Sequence, residues 1–569
     1  MDTTHMDATI GRLSDAKNRW ADLPIDDKIR HLDGLKDAIV KVARPWVEAA
    51  VKAKGLSMSS PVAGEEWTSG PFSVLWYLKD LRATLVRLAT GVPVLDGYAT
   101  RTLPSGLVAV DVFPKNFDEG LLFSGITAEV WMQEGSTIET IEESAAAFYR
   151  SHADDRKGNL QVVLGAGNIS SIPVLDVIYA LFVEGKTAIL KLNPVNDYLG
   201  SFFESVFAEM IDDGYVGFVY GDADVGAYLT EHELVDSIHI TGSSSSYNAI
   251  VFGRGADGEA NRLSDAPVNT KPLSAELGGV TPVIVTPGQW SKRDLRFQAE
   301  HVVSQKLHNS GFNCVAAQVL VLPRAWDQKG AFLDEVRAVM READDRPAYY
   351  PGAKERCERA VAASGVVEAF GDEGSRFLVT HVDPNGASHA WFGHEIFAPM
   401  LAVTELPGAD PASFLMNAVA FANDRLNGTL GANIIVDPKT ERAYAAAVER
   451  AIADLDYGTV TVNAWSGAAY FLGRCAWGAR PGHARTDIQS GTGVVHNALM
   501  FDRPLKSIVR GPFAEAPRTF TKGEFHLGPK MVYFVTNRKA HVVGEKLIAY
   551  CDEPSKAKLA SIALSAMRG

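Results

Sequence analysis

Short apolar segments alternate with amphipathic segments from Gln161 onward, and this alternation constrains the fold more than any other feature of the 569-residue chain. The first predicted strands are QVVLGAG (161–167), TAILKL (187–192), VGFVYG (216–221) and SIHITGS (237–243). After each strand, apolar residues recur every three or four positions, which is the period of a helix packed on a sheet. Repeated strand–helix units fold as a doubly wound parallel sheet, so we expect an α/β protein.

A second succession of the same kind begins after the glycine pair Gly278-Gly279. Its helices are predicted from Ser291 to Lys306, in a long section that extends to about Ala369, and near Arg442. The predicted strands are VTPVIV (280–285), AAQVLVL (316–322), RFLVTHV (376–382), MLAVTEL (400–406), GTLGANIIV (428–436) and GTVTVN (458–463). Two strand–helix successions of this size are too large to share one hydrophobic core, so we expect a domain boundary near Glu276.

The remaining segments have other patterns. From about Asp7 to Gly91 apolar residues recur at helical spacing, whereas residues 106–131 are rich in β-branched and aromatic residues, which predicts the strands of an arm or ribbon. Residues 464–497 are rich in glycine and aromatics and are predicted to be a loop. The tail from about Arg503 is predicted to contain a strand, MVYFVT (531–536), and a last helix that serves packing or subunit contact.

Charge and cysteine content exclude several classes of function. A net charge of -14 leaves no basic surface for nucleic acid or an anionic membrane. The four cysteines show neither CxxC nor metal-ligand spacing, which predicts free thiols, no metal and a reducing compartment. The N-terminus does not resemble a signal peptide, and no apolar run is long enough to span a bilayer. We therefore expect a cytoplasmic protein with a small-molecule substrate.

Cys314 is the candidate nucleophile. It follows a turn in which Gly311 permits backbone conformations that other residues rarely adopt, and it precedes an apolar strand. A thiolate attacks carbonyl carbon well and is also a good leaving group. On local sequence alone, a small buried apolar cysteine at a strand start is the simpler interpretation. Glu276 lies next to a glycine pair at the predicted boundary, where a carboxylate can serve as a general base or merely cap a helix.

Gly165-Ala166-Gly167 follows the first strand, in the position of a dinucleotide fingerprint. The third glycine of that fingerprint is replaced by Ser170, and the second strand carries Lys191 where an acidic residue is expected. This motif taken alone is equally consistent with a tight turn.

Six motifs follow one another in the order found in the NAD(P)-dependent aldehyde dehydrogenase superfamily, which this sequence resembles. They are GAGN ending at Asn168, the strand containing Lys191, DVGAYLTEHELVDSIHITGS (224–243), ELGG (276–279), NSGFNC (309–314) and EIFAP (395–399). The resemblance covers about residues 160–465 and is strongest over 224–318. It implies a Rossmann-like cofactor domain, an α/β catalytic domain and a β-ribbon oligomerisation element.

The resemblance also implies a division of the chain. Its parts are residues 1–100 as the helical N-terminal part of the cofactor domain, 101–135 as the ribbon, 136–276 as the dinucleotide-binding domain, 277–497 as the catalytic domain and 498–569 as a C-terminal extension used in oligomers. A homodimer or homotetramer is the expected assembly.

By the same resemblance, Cys314 attacks an aldehyde and the resulting oxyanion is held by Asn168 and by the Cys314 N–H. Glu276 then activates the water that hydrolyses the thioester. The cofactor is NAD or NADP.

The resemblance assigns the remaining positions to cofactor binding. They are Lys191 at the adenosine ribose, Gly242 and Ser243 at the pyrophosphate, and Glu395 and Phe397 at the nicotinamide ribose and ring.

Three departures from the family pattern bear on these roles. The family has Pro-Trp-Asn where this chain has Ala166-Gly167-Asn168, so the orientation of the Asn168 side-chain amide is less constrained. Leu192-Asn193-Pro194 lacks the usual carboxylate after Lys191, which leaves NADP as credible as NAD. Phe312 replaces a glutamine and narrows the predicted substrate tunnel.

Substrate and acyl acceptor stay open at this point. Aromatic residues of the 464–497 loop, among them Trp465, Tyr470 and Trp477, favour an apolar or aromatic aldehyde, although such residues also serve as core anchors. Two alternatives are a CoA-linked acylating dehydrogenase, which would not need Glu276 as a base, and a non-catalytic binding or assembly protein of the same fold.

Overall fold

The computed structural model describes residues 3–152, 156–362, 366–386 and 389–569. Helices form the N-terminal part, as predicted, because apolar side chains at helical spacing bury one face of each. The longest of these helices, Ile25–Ala53, buries Leu32, Leu35, Ile39, Ala43 and Trp46. The elements are α1 (Thr4–Asp22), α2 (Ile25–Ala53), α3 (Ala63–Trp67) and α4 (Ser73–Thr90), with a π-helical turn (Thr68–Phe72) between the last two.

The predicted strands of residues 106–131 are present, separated by a short helix. The elements of this part are β1 (Thr100–Thr102), β2 (Val108–Phe113), α5 (Phe117–Leu122), β3 (Thr127–Met132), α6 (Ile138–Ser144) and α7 (Ala147–Arg150).

The first strand–helix succession forms a sheet, as predicted. Its elements are β4 (Leu160–Leu164), α8 (Ile172–Phe182), β5 (Thr187–Lys191), α9 (Gly200–Val206), α10 (Ala208–Asp212), β6 (Val216–Val219), α11 (Ala223–Glu231), β7 (Ser237–Gly242), α12 (Ser244–Phe252), α13 (Gly255–Leu263) and β8 (Leu273–Leu277). The strands pair in parallel in the order β8–β7–β4–β5–β6. Parallel strands end at one edge, so Lys191, Gly242 and Leu277 all lie toward the same side of the sheet.

The second succession supplies the other large sheet. Its elements are β9 (Thr281–Val285), α14 (Lys292–Leu307), β10 (Ala317–Pro323), α15 (Lys329–Glu342), α16 (Ala353–Ala362), β11 (Val366–Phe370), β12 (Arg376–Thr380), α17 (His389–Phe392), β13 (Met400–Leu406), α18 (Pro411–Arg425), β14 (Gly431–Ile435), α19 (Pro438–Ala443), α20 (Ala445–Asp454), β15 (Thr459–Val462), α21 (Gly467–Phe471), β16 (Trp477–Gly478), β17 (Gly491–Thr492), β18 (Val494–Val495) and β19 (Pro504–Arg510). The C-terminal helices are α22 (Arg518–Lys522), α23 (Ala540–Asp552) and α24 (Lys556–Ala566).

Within the described ranges this sheet has eleven strands, in the order β1–β2–β3–β19–β15–β14–β9–β10–β13–β12–β11. The ribbon strands β2 and β3 therefore belong to the same sheet as the second succession. The connection is β19, which runs antiparallel to β3 and parallel to β15. The short strand β17 instead joins β8 of the other sheet, next to Glu276.

Three predictions for the second half were wrong. Residues 464–497 are not a continuous loop, since they contain α21 and the short strands β16, β17 and β18. Residues 531–536 do not form a strand, because Tyr533 bonds to His301 and the Val535 N–H donates to Ser304, so the segment packs on α14. The strand of this region is β19. The helical section ends at Ala362, and Val366–Phe370 forms β11, antiparallel to β12.

Every helix of the described ranges is too short or too polar to cross a lipid bilayer.

The two ends of the chain meet where α3 packs on α23. A Cβ atom added at Gly64 would lie 2.5 Å from the carbonyl carbon of Ala540, and one added at Gly544 would lie 2.4 Å from Cβ of Trp67. Both glycines are therefore needed for the close approach of these helices, because real side chains do not tolerate such contacts.

We expect Gly64→Ala to lower the free energy of unfolding by about 1–3 kcal/mol, the usual cost of overpacking. Gly11→Ala is the control, since the Cβ position of Gly11 in α1 has no neighbour within 4 Å. That control should be neutral or stabilising by up to about 1 kcal/mol, because alanine favours the helix. Urea unfolding followed by fluorescence measures both, and equal stability of the two variants would contradict this account of the helix contact.

Candidate active site

Cys314 lies between the end of α14 and the start of β10, after a tight turn. Asn309, Ser310 and Gly311 have φ values of 53°, 56° and 77°, so three consecutive residues adopt the left-handed conformation. Glycine is required at the third position, where an added Cβ would meet the Ala398 carbonyl oxygen at 2.7 Å. The turn places Cys314, half-buried, at the wall of a narrow cavity.

Glu276 lies on β8 and is buried, and its carboxyl group interacts with the Cys314 thiol. The Sγ atom of Cys314 donates to Oδ1 of Asn313 at 3.8 Å. The indole Nε1 of Trp477 donates to Oε1 of Glu276 at 3.3 Å. Burial and the negative charge of Asp176 raise the pKa of Glu276 to about 7. A carboxyl with this pKa exchanges a proton readily near neutral pH, as a general base must.

The Cys314 thiol is a poor acid in this environment. Its pKa is raised well above the ordinary value by burial first and then by the charges of Glu276 and Glu395. Burial also raises the pKa of Glu395, with a further contribution from Glu276, although the Lys306 ammonium opposes the change. Lys306 is itself fully buried and its pKa is lowered by burial.

Asn168 is buried beside the cysteine turn. Its side-chain Nδ2 donates to the Phe312 carbonyl at 3.1 Å, two residues before the thiol. An amide nitrogen carries two hydrogens, so one N–H stays available for an oxyanion. The structure therefore places Asn168 beside the backbone of the turn that precedes Cys314, and Glu276 near the thiol.

A buried polar cluster lies behind Glu276. Asp176 accepts a hydrogen bond from Thr241 at 2.9 Å, and its carboxylate lies 3.6 Å from His239 and 3.8 Å from His496. Burial opposes a charge on His239, but Asp176 leaves the pKa of that imidazole raised. Burial lowers the pKa of His496 to about 4, so it is neutral at pH 7.

A cleft of about 970 Å³ lies at the carboxyl ends of β4, β5 and β7. Lys191, Gly242 and Asp222 line it. Ser243 is the N-cap of α12, where its Oγ accepts the Ser246 N–H at 3.2 Å. The free N–H groups and the dipole of a helix start favour an anionic ligand.

Glu395 and Phe397 lie outside this cleft, near the thiol. A Cβ atom added at Gly278 would fall 2.0 Å from Oε2 of Glu395, so the carboxyl group rests on the backbone of the ELGG segment. The Phe397 ring packs 5.5 Å from that of Phe312. The predicted positions thus separate into a cleft group and a group around the cysteine.

Two polar residues of this site were missed by sequence reasoning. Asp176 is a carboxylate inside a helix that is otherwise apolar and fully buried, and that contrast was a usable signal. Lys306 gave no comparable signal, because it ends a helix of mixed polarity and its proximity to Glu395 depends on the tertiary fold.

Comparison with known proteins shows the family of this chain. The model of the aldehyde dehydrogenase family matches residues 168–473. The chain is 24% identical over 280 residues to a coniferyl aldehyde dehydrogenase of a Pseudomonas strain, covering 46% of this chain and 52% of the relative. It is 26% identical over 260 residues to a D-glyceraldehyde dehydrogenase (NADP(+)) of Thermoplasma acidophilum, covering 41% and 49%.

The fold is also similar to that of a solved structure. The structure of an NADP-dependent glyceraldehyde-3-phosphate dehydrogenase from Bacillus halodurans, solved with NADP, superimposes with a TM-score of 0.58 at 17% identity, over 90% of this chain and 92% of the other. The chain belongs to the aldehyde dehydrogenase family, and the predicted family and fold class are confirmed. It spans about half the length of the curated relatives it matches.

The mutual repulsion of thiolate and carboxylate can be measured directly. In Glu276→Gln we expect Cys314 to be alkylated by iodoacetamide several-fold faster at pH 8, because removal of the carboxylate lowers the thiol pKa. The rate is measured by mass spectrometry of the Cys314 peptide, with Cys357 as internal control because Glu276 does not contribute to its raised pKa. A slower reaction at Cys314 would show that Glu276 instead activates the thiol.

Proposed function

We propose that this chain is an NAD(P)-dependent aldehyde dehydrogenase that oxidises an uncharged apolar or aromatic aldehyde to the carboxylic acid. The observation that carries the proposal is the interaction of the Cys314 thiol, at the wall of a narrow cavity, with the buried Glu276 carboxyl. A nucleophile adjacent to a base with a pKa near 7 is the arrangement that acyl transfer through a thioester requires.

The cavity supports the choice of substrate. Its described lining is aliphatic and aromatic apart from Ser69, His308 and Asn313, and Cys314. Burial, as the largest influence, lowers the pKa of His308. The apolar wall is formed by Ile169, Ile172, Val315, Trp465, Tyr470, Phe471 and Trp477. A charged aldehyde would lose its hydration without finding a partner there.

In the first half-reaction Cys314 releases its thiol proton to solvent, and the thiolate sulfur bonds to the aldehyde carbon as the carbonyl π bond breaks. The resulting oxyanion accepts hydrogen bonds from the Cys314 N–H and from the free N–H of Asn168. When bound, the nicotinamide dinucleotide supplies the acceptor for the hydride that leaves this carbon. Loss of hydride converts the thiohemiacetal into a thioester on Cys314.

In the second half-reaction Glu276 acts as a base. Its carboxylate removes a proton from water, the hydroxide bonds to the thioester carbon, and the carbon–sulfur bond breaks. Carboxylic acid leaves and the sulfur of Cys314 is ready for another turnover.

The side chains available for the cofactor fit a dinucleotide. In the proposal, residues 136–276 hold the adenosine half, with Lys191 at the ribose and Gly242 and Ser243 at the pyrophosphate. Glu395 and Phe397 hold the nicotinamide half. The Oε1 atom of Glu395 is buried and lacks a hydrogen-bond partner in the described part of the chain, as expected of an acceptor for a ribose hydroxyl.

The proposal is tested with a panel of benzaldehydes and aliphatic aldehydes, each with NAD or NADP and with or without CoA. We expect reduced nicotinamide to form without CoA, and Cys314→Ala to bind the dinucleotide but lose turnover. Turnover that requires CoA would replace hydrolysis by acyl transfer to a thiol. A chain that binds no dinucleotide and oxidises none of the aldehydes would be a non-catalytic relative.

Glu276→Gln isolates the second half-reaction. Since glutamine is not a base, we expect a burst of one reduced cofactor per active site, followed by turnover slowed at least about 100-fold. The covalent acyl-enzyme should then be visible by intact-protein mass spectrometry. Steady-state turnover at the wild-type rate, without an accumulated acyl group, would remove Glu276 from the role of base.

The pH dependence of deacylation reports the charge on Glu276. The base form is the carboxylate, so the rate should rise through pH 7 and level above it. We expect Asp176→Asn to shift this inflection to lower pH, because the variant removes a negative charge that raises the pKa of Glu276. Single-turnover measurements from pH 5.5 to 9 provide the test, with circular dichroism to check the fold, and an unshifted inflection would count against coupling of the two groups.

A further inference from the structure

The turn before Cys314 is attached to the N-terminal helices by a buried ion-pair network. Glu65 and Glu66 lie on α3, and Lys54 lies at the end of α2. Lys54 Nζ pairs with Glu66 at 2.6 Å, and Arg346 Nη2 pairs with Glu65 at 2.8 Å. All four side chains are buried, at 4–8% exposure. We refer to Lys54, Glu65, Glu66 and Arg346 as the buried quartet.

Two members of the buried quartet, Glu65 and Lys54, form hydrogen bonds with Asn309. The Asn309 N–H donates to Oε2 of Glu65 at 2.6 Å, and its side-chain Oδ1 accepts from Lys54 Nζ at 2.8 Å. Charged partners make both bonds stronger than bonds between neutral groups. Burial opposes the charge on Glu65, but Arg346 and the Asn309 N–H hold its pKa below the ordinary value, so the carboxylate stays ionised at neutral pH.

Asn309 in turn forms hydrogen bonds with both backbone segments of the proposed oxyanion site. Its side-chain Nδ2 donates to the backbone carbonyls of Asn168 at 3.0 Å and Phe312 at 2.8 Å. The Tyr349 hydroxyl lies 2.9 Å from the Asn168 carbonyl oxygen and 3.0 Å from Oδ1 of Asn309. One amide and one hydroxyl thus tie together the two segments that carry Asn168 and Cys314.

This turn needs such support. Asn309 and Ser310 both have positive φ, which a residue with a side chain adopts at a cost in free energy. Strain of this kind persists where surrounding contacts over-determine the backbone. Without the bonds to Glu65 and Lys54, the turn is free to relax, and the Cys314 N–H would move away from the position of the oxyanion.

We propose that the buried quartet, acting through Asn309 and Tyr349, positions the oxyanion-binding amides of Asn168 and Cys314. This inference rests on the proposed function and adds positioning residues to it. Lys54, Glu65 and Glu66 precede residues 168–473, so the N-terminal helices contribute to the active site from outside the region that matches the family.

The proposal is tested with Glu65→Gln and Tyr349→Phe. Glu65→Gln keeps the size and an acceptor oxygen but removes the charge, and Tyr349→Phe removes one hydroxyl. We expect kcat to fall about 10- to 100-fold in the first and several-fold in the second, because misaligned donors stabilise the oxyanion less. KM for the dinucleotide should stay within about twofold, since both changes lie outside the cofactor cleft.

Tyr457→Phe is the matched control. Tyr457 is buried, and its hydroxyl donates to a backbone carbonyl, that of Ala422, at 3.2 Å. It loses the same chemical group without touching the quartet, so its kcat should stay within about twofold of wild type. Wild-type kcat in folded Tyr349→Phe and Glu65→Gln would overturn the proposal, and Tyr349→Phe alone decides it if Glu65→Gln does not fold.

A second readout does not depend on turnover. Hydrogen exchange of the peptide spanning residues 305–318 should be faster in Tyr349→Phe than in Tyr457→Phe, because the turn loses an anchor. If the wild-type chain oxidises no aldehyde, the proposed function fails, and this measurement still decides the positioning role. Unchanged exchange in that peptide would then overturn it.

Discussion

The Cys314 thiol shares a buried site with the carboxyl groups of Glu276 and Glu395. Burial raises the pKa of all three groups, and the charges of Glu276 and Glu395 raise that of the thiol further. The thiol therefore stays protonated at neutral pH, whereas Glu276 exchanges its proton near pH 7. Lys306 is a buried opposing charge, and it lowers the pKa of Glu395.

Acylation of Cys314 changes the surroundings of Glu276. The interaction with the thiol lowers the pKa of this carboxyl, so its loss on thioester formation favours the protonated form. The Trp477 indole and the charge of His239 also lower the pKa of Glu276, against burial and the charge of Asp176, which raise it. These two groups therefore favour the carboxylate form that hydrolysis requires.

The parts of this structure that were predicted from the sequence depend on local patterns. The two strand–helix successions follow from periodicity. The strand β19 was missed because Lys506 and Ser507 make it look exposed, although both are buried: Lys506 bonds to carbonyls at the end of α20, and Ser507 to Ala476. Residues 531–536 have strand composition, but their aromatic rings pack on α14.

Local sequence patterns also predicted only part of the candidate site. Motif order pointed to Cys314, Glu276 and Asn168, because each lies in a short recognisable segment. The bond from Asn309 to Glu65 joins residues 244 positions apart, and no local pattern records such a contact. The helix α3 that carries Glu65 is in turn fixed by the close approach of Gly64 to α23, near the other end of the chain. Divergent termini therefore bear on the proposed chemistry through packing, since a shift of α3 would be transmitted by the hydrogen bond between Glu65 and Asn309 to the turn that precedes Cys314.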